Sequence, residues 1–60
     1  MIKMTIREWT ARNPTIQIGE IFSNYGDSRF EFKEALDTDL DEDIVEIYYC
    51  PEFNSVDIEI

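Results

Sequence analysis

The sequence predicts a small α+β domain: a single antiparallel sheet of about four strands, an N-terminal helix on one face and a short acidic helical turn, in the order α-β-β-α-β-β. Three observations lead to this. A helix start signal at Thr5 is followed by a helix stop at Asn13-Pro14. Period-two alternation of apolar and polar residues recurs in several separate runs after Pro14. Between the second and third of these, Leu36, Leu40 and Ile44 stand four apart, which is helical spacing.

The first element begins with Thr5-Ile6-Arg7-Glu8, a capping box in which the Thr5 hydroxyl accepts from the Glu8 N–H and Glu8 reaches back. Met4 and Trp9 occupy the positions of a hydrophobic staple across that cap. The helix should run from Ile6 to Arg12, because Pro14 drives Asn13 out of the α region. Arg12 lies near the negative end of the helix dipole, and Ile6 with Trp9 forms one apolar stripe. Thr15-Ile16-Gln17-Ile18 alternates as a strand does. Gly19-Glu20 then shifts the phase before Ile21-Phe22, which reads as a bulge. The run from Ser23 to Ser28 is turn chemistry, with Tyr25 at its tip and Gly26 free to take positive φ. Arg29-Phe30-Glu31-Phe32 completes a hairpin with both phenylalanines inward.

A helical turn is expected around Asp37–Glu42, with Asp39 and Glu42 as a cap pair. Ile44-Val45-Glu46-Ile47-Tyr48-Tyr49 is rich in branched and aromatic residues and reads as the third strand. Pro51-Glu52-Phe53-Asn54 breaks it, and Ser55 to Ile60 alternates with Val56, Ile58 and Ile60 inward. The whole chain, 1–60, reads as one domain, since a chain this short buries only about 60% of its unfolded surface. Four Phe, three Tyr and one Trp are enough for a small core and more than an acidic disordered tail carries.

Charge is the main lead to function. The net charge is −9, with 14 acids, 5 bases and no histidine. Residues 1–33 hold all five bases (Lys3, Arg7, Arg12, Arg29, Lys33), whereas residues 34–60 hold ten acids and no base. Such a surface repels phosphate, so direct binding to nucleic acid or an anionic membrane is not expected. It attracts basic partners instead. A single cysteine, Cys50, cannot form an internal disulfide, which fits a reducing compartment. The opening Met1-Ile2-Lys3-Met4-Thr5 lacks the apolar stretch of a signal peptide, and no run approaches the ~18 apolar residues of a membrane span. A cytoplasmic location is expected.

Catalytic constellations are sparse. Without histidine there is no ready general base near neutral pH and no Ser–His or Cys–His pair. Cys50 lies at a strand end beside Tyr49 and Pro51, where a small buried apolar residue is the ordinary reading. Asp27, Glu31 and Lys33 resemble the acids and lysine of a metal-dependent nickase, in which two carboxylates hold the metal and the lysine assists water. The competing reading makes Glu31 and Lys33 the solvent face of the Phe30/Phe32 strand. Asp37-Thr38-Asp39-Leu40-Asp41 matches the first ligand positions of a calcium loop, but Glu42 stands where glycine is needed and Tyr48 where the bidentate glutamate belongs. No cofactor is expected, and no enzymatic activity.

The acidic surface remains. Asp37, Asp39, Asp41, Glu42 and Asp43 crowd one turn with no base near in sequence. Asp57 and Glu59 project together from the last strand, opposite Val56 and Ile58, about 7 Å apart. Phosphates along a nucleic-acid strand are comparably spaced, so these seven carboxylates can serve as phosphate surrogates in another protein's basic groove. Tyr48, Tyr49 and Phe53 exceed the needs of a small core and supply aromatic anchors for the same interface. Self-association is the alternative use of such surface, making the chain a homodimer or small homo-oligomer whose acids serve solubility.

Met4-Thr5-Ile6-Arg7-Glu8-Trp9, the Asn13-Pro14 stop and the terminal Val56-Asp57-Ile58-Glu59-Ile60 resemble a group of small acidic proteins from phages and conjugative elements of Gram-positive bacteria. The group commonly opens Thr-(Val/Ile)-Arg-Glu-aromatic-Leu, and this chain departs from it at Thr10. That pool includes inhibitors of host defences, among them anti-CRISPR proteins. The resemblance implies that context, a bacterial host cell. Together with the acidic surface and the sparse catalytic groups it leads to the expectation of a non-enzymatic inhibitor directed at a basic nucleic-acid-handling host protein such as a CRISPR effector.

Overall fold

The computed structural model describes residues 3–23 and 28–60. The expected turn residues Tyr25, Gly26 and Asp27 lie outside them. Helix α1 spans Ile6–Arg12, β1 Gln17–Phe22 and β2 Arg29–Glu31. A 3-10 turn follows over Phe32–Glu34, then the short helix α2 over Asp37–Leu40, β3 over Glu46–Cys50 and β4 over Ser55–Glu59. The α+β class, the four strands and the N-terminal helix are those the sequence predicts.

Helix α1 starts as its capping box dictates. Thr5 Oγ1 accepts from the Glu8 N–H at 3.1 Å, and the Thr5 N–H donates to Glu8 Oε1 at 3.0 Å. The Thr5 N–H, and after it the Thr5 hydroxyl, which donates to Glu8 Oε1 at 3.2 Å, hold the Glu8 carboxyl below the usual carboxylate range. Ile6 and Trp9 are buried and Met4 packs against the same cluster. Helix α2 is capped differently from the expected Asp39–Glu42 pair: the Asp39 carboxylate accepts from the Leu36 N–H at 2.9 Å. The helix is a single turn, so the donors in need of a partner are those at its start, where Asp39 can reach them.

The strand order is β2-β1-β4-β3, two hairpins side by side. Each hairpin is antiparallel, but the central pair β1/β4 is parallel, so the sheet is mixed where a wholly antiparallel one was expected. Topology is the reason. Residues 32–45 carry the chain from the β2 edge to the β3 edge and lay Phe32, Ala35, Leu40 and Ile44 against the core on the way. The second hairpin therefore re-enters with β4 innermost, running alongside β1. Ile6, Trp9, Ile21, Ile44, Val56 and Ile58 form the buried core. Burial of an Ile side chain is worth roughly 1.5–3 kcal/mol, so these few positions dominate the stability.

The predicted bulge is present: Ile18 pairs with Val56 and Ile21 with Ile58, leaving Gly19 and Glu20 opposite Asp57. The extra residue takes the Glu20 N–H out of the ladder, and Asp57 Oδ1 accepts from it at 3.0 Å. Gly19 is needed at this point, because a Cβ there would lie 2.9 Å from that same oxygen. At the β3–β4 turn, Asn54 takes the left-handed conformation at φ 48°, which asparagine tolerates better than most residues. Its side-chain amide donates to the Thr15 carbonyl at 3.1 Å and accepts from the Tyr49 hydroxyl at 3.2 Å.

Candidate functional site

Ladder register assigns every strand residue to a face. Ile21, Phe30, Ile47, Tyr49, Val56 and Ile58 share the core face, under the helices. The opposite face carries Glu20, Phe22, Arg29, Glu31, Glu46, Tyr48, Asp57 and Glu59, none of them buried. One row across this open face reads Arg29, Phe22, Glu59, Glu46, and the next reads Glu31, Glu20, Asp57, Tyr48.

The candidate residues thus divide between two surfaces. Asp37, Asp39, Asp41, Glu42 and Asp43 lie on and after α2, in the helical layer, whereas Asp57, Glu59 and Tyr48 lie on the open face. Tyr49 is on the core face at the edge strand and still 54% exposed, and Phe53, in the β3–β4 turn, is 74% exposed. The structure brings Tyr48 together with Asp57 and Glu59 and does not bring these together with the α2 acids.

The helical-layer acids are less alone than the sequence suggests. Packing of α1 against α2 sets Arg7 Nε 2.9 Å from Asp41 Oδ1 and Arg7 Nη2 3.5 Å from Asp37 Oδ1. Asp41, and then Asp37, raises the Arg7 guanidinium above its ordinary value. Asp39 is occupied as the α2 cap. Glu42 and Asp43 are exposed and, with Asp39, Ser28, Val45 and Ile60, border an open depression at the end of the sheet.

The open face is organised around two rings. Phe22 and Tyr48 lie with centroids 5.7 Å apart, across β4. The Arg29 guanidinium carbon sits 4.8 Å over the Phe22 ring, and Arg29 Nη1 is 2.6 Å from Glu20 Oε1. The Tyr48 hydroxyl donates to Glu59 Oε1 at 3.0 Å. That hydrogen bond, burial, and the charges of Glu59 and Glu46 push the Tyr48 phenol above its usual value. Glu46 is directly opposite Glu59 in the ladder, and among the described residues no lysine or arginine lies within ion-pair distance of either. Asp57, expected as a surface carboxylate, is half-buried and holds the bulge.

Glu31 and Lys33, two of the three nickase candidates, form an exposed ion pair at 3.1 Å, which raises the Lys33 ammonium. Asp27 lies outside the described residues. Among the described residues no three His, Cys, Asp or Glu side chains converge as metal ligands do, those of the Asp37–Asp41 calcium-like run included. Cys50 is a half-buried free thiol at the end of β3. No helix among the described residues is long and apolar enough to cross a membrane.

No protein-family model, curated protein or solved structure matches the chain. Its surfaces must therefore carry the functional argument. Sequence reasoning missed Phe22, Arg29, Glu20 and Glu46 as members of the open face. Glu46-Ile47-Tyr48 carried the signal, as the polar phase of an alternating strand. For Phe22 the signal was masked, because the bulge sets two apolar residues side by side and only the register shows that Ile21 points in and Phe22 out.

Proposed function

We propose that this chain is a non-enzymatic binding protein whose acidic surface occupies the nucleic-acid site of a basic partner, with carboxylates standing in for phosphates. One observation carries the reading. Ten acids lie in residues 34–60, and among the described residues Arg7 is the one base paired with any of them, at Asp37 and Asp41. Of the others, Glu42, Asp43 and Glu52 have no side-chain partner among the described residues and add self-repulsion, which is understandable if a partner supplies the counter-charge. The resemblance to phage and mobile-element proteins puts a host-defence nuclease such as a CRISPR effector first among partners.

The test is a tagged pull-down from bacterial host lysate, eluted with a salt gradient and separately with duplex DNA. A nucleic-acid-binding protein released by DNA at low salt supports the reading. The triple variant Asp37→Asn, Glu42→Gln, Asp43→Asn leaves the Asp39 cap and the Arg7–Asp41 pair in place, so it should lose the partner while staying folded. Undiminished capture by that variant and by its open-face counterpart, Glu46→Gln with Glu59→Gln, would overturn the proposal.

A second reading is favoured by the edge strand β3 and by Tyr48, Tyr49 and Phe53, exposed on a chain with few buried residues. It makes the protein a homo-oligomeric module, and a defined dimer or larger species by light scattering, unchanged by salt, would select it.

A further inference from the structure

We infer that the open sheet face is a receptor for an arginine side chain presented by a basic segment of a partner protein, with Tyr48 as the stacking surface and Glu46 and Glu59 as the paired carboxylates. This rests on the proposed basic-partner reading and names the chemistry that reading would use.

The fold already contains one filled example of the arrangement. On the β1/β2 hairpin, Arg29 lies over the Phe22 ring and is held there by Glu20. On the β3/β4 hairpin, Tyr48 supplies a ring, and Glu59, hydrogen-bonded to its hydroxyl, supplies the carboxylate. Glu46 adds a second carboxylate directly across the ladder. The cation is what this half lacks, and residues 34–60 contain none to provide it. Like charges directly opposite in a ladder are destabilising, and a guanidinium between them would reverse that. Tyr48 is 47% exposed and both it and Glu46 belong to the edge strand, so a partner's side chain can reach them from the rim of the sheet. Arginine fits better than lysine here. Its planar fork bonds two carboxylate oxygens at once and its flat face stacks on an aromatic ring, whereas an ammonium is a compact, strongly hydrated point charge.

Calorimetric titration with oligo-arginine and oligo-lysine peptides of equal length tests this. The wild-type chain should bind oligo-arginine about tenfold more tightly than oligo-lysine. Tyr48→Leu and Glu46→Gln should each erase most of that preference, whereas Glu52→Gln, which removes the same charge from the β3–β4 turn, should leave it in place. Glu46 is exposed and its side chain accepts only from the neighbouring Ile47 N–H, so Glu46→Gln remains informative if Tyr48→Leu fails to fold. Equal affinity for the two peptides, or a preference that survives both variants, overturns the arginine receptor and leaves the basic-partner reading standing. Binding of neither peptide overturns both. A dimer that forms without peptide and dissociates in Glu46→Gln would assign the slot to a second copy of the chain and overturn the partner assignment.

Discussion

Replacing Gly19 by alanine tests the bulge that sets the register of the whole open face. The new Cβ would lie 2.9 Å from Asp57 Oδ1, too close, and 3.8 Å from the Val56 carbonyl, an ordinary contact. The backbone at Gly19 has no positive φ to forbid alanine, so the strain falls on the Asp57 carboxylate, which must swing away. In doing so it abandons the Glu20 N–H, now 3.0 Å distant and partly buried. A hydrogen bond to a charged acceptor is worth about 1.5–3 kcal/mol, and the lower unfolded-state entropy of alanine returns about 0.4–1 kcal/mol. The net loss is about 1–2 kcal/mol, and in a domain of this size that lowers Tm by about 4–16 °C. Thermal unfolding followed by circular dichroism measures it. The decisive experiment adds Asp57→Ala. With the carboxylate gone, Gly19→Ala has nothing to displace and should be neutral or stabilising by up to about 1 kcal/mol. The two substitutions should therefore be coupled by about 2 kcal/mol. Additivity within about 0.5 kcal/mol would refute the argument, because it would mean that Gly19 and Asp57 do not act on one another.

Two further predictions concern single side chains. Thr10 Oγ1 is buried with no hydrogen-bond partner among the described residues. Thr10→Val removes the unsatisfied hydroxyl and should raise stability by about 1 kcal/mol in urea unfolding; an unchanged or lower midpoint would mean that the hydroxyl is satisfied. The Tyr48 phenol, pushed above 10.0 first by its hydrogen bond to Glu59, should titrate closer to that value in Glu59→Gln. Because the folded-state value is raised, this contact's contribution to stability is complete below the unfolded value and fades as pH rises through the folded one. Alkaline difference absorbance, with Tyr48→Phe to assign the transition, reads the shift, and identical titrations of wild type and Glu59→Gln would remove the bond from the account.

What the sequence made legible was local. The α1 start and stop depend on residues within one turn of each other, so Thr5, Glu8 and Pro14 could be read without knowing the fold. The bulge showed as a phase slip at a glycine, and β4 as clean alternation. The strand order did not show, because the parallel β1/β4 pairing depends on where residues 32–45 cross, and no short motif encodes that. Arg7 is the same lesson in charge. Thirty-four positions separate it from Asp41, so counting bases near the acidic turn could not find the cation that α1 delivers there. Asp57 shows how far an alternation pattern reaches: it placed the residue on the correct face, but its bond to the Glu20 N–H follows from the bulge and makes it a structural residue as well as a charge.

That distinction decides which acids can report on function. Asp39 caps α2, Asp57 holds the bulge and Asp41 pairs with Arg7, so each already serves a contact within the fold and its substitution reports on more than a partner. Glu42, Asp43 and Glu52 have no side-chain partner among the described residues, and Glu46 has only the neighbouring N–H of Ile47. These four give the fold little in return for their mutual repulsion. They also lie apart: Glu42 and Asp43 follow α2, Glu46 is on the open face and Glu52 is in the β3–β4 turn. A partner that grips a single face would be released by neutralising one of these sites alone. A groove that wraps the domain as it would wrap a nucleic-acid strand would lose affinity in steps as each is removed, with a salt dependence that weakens along with it.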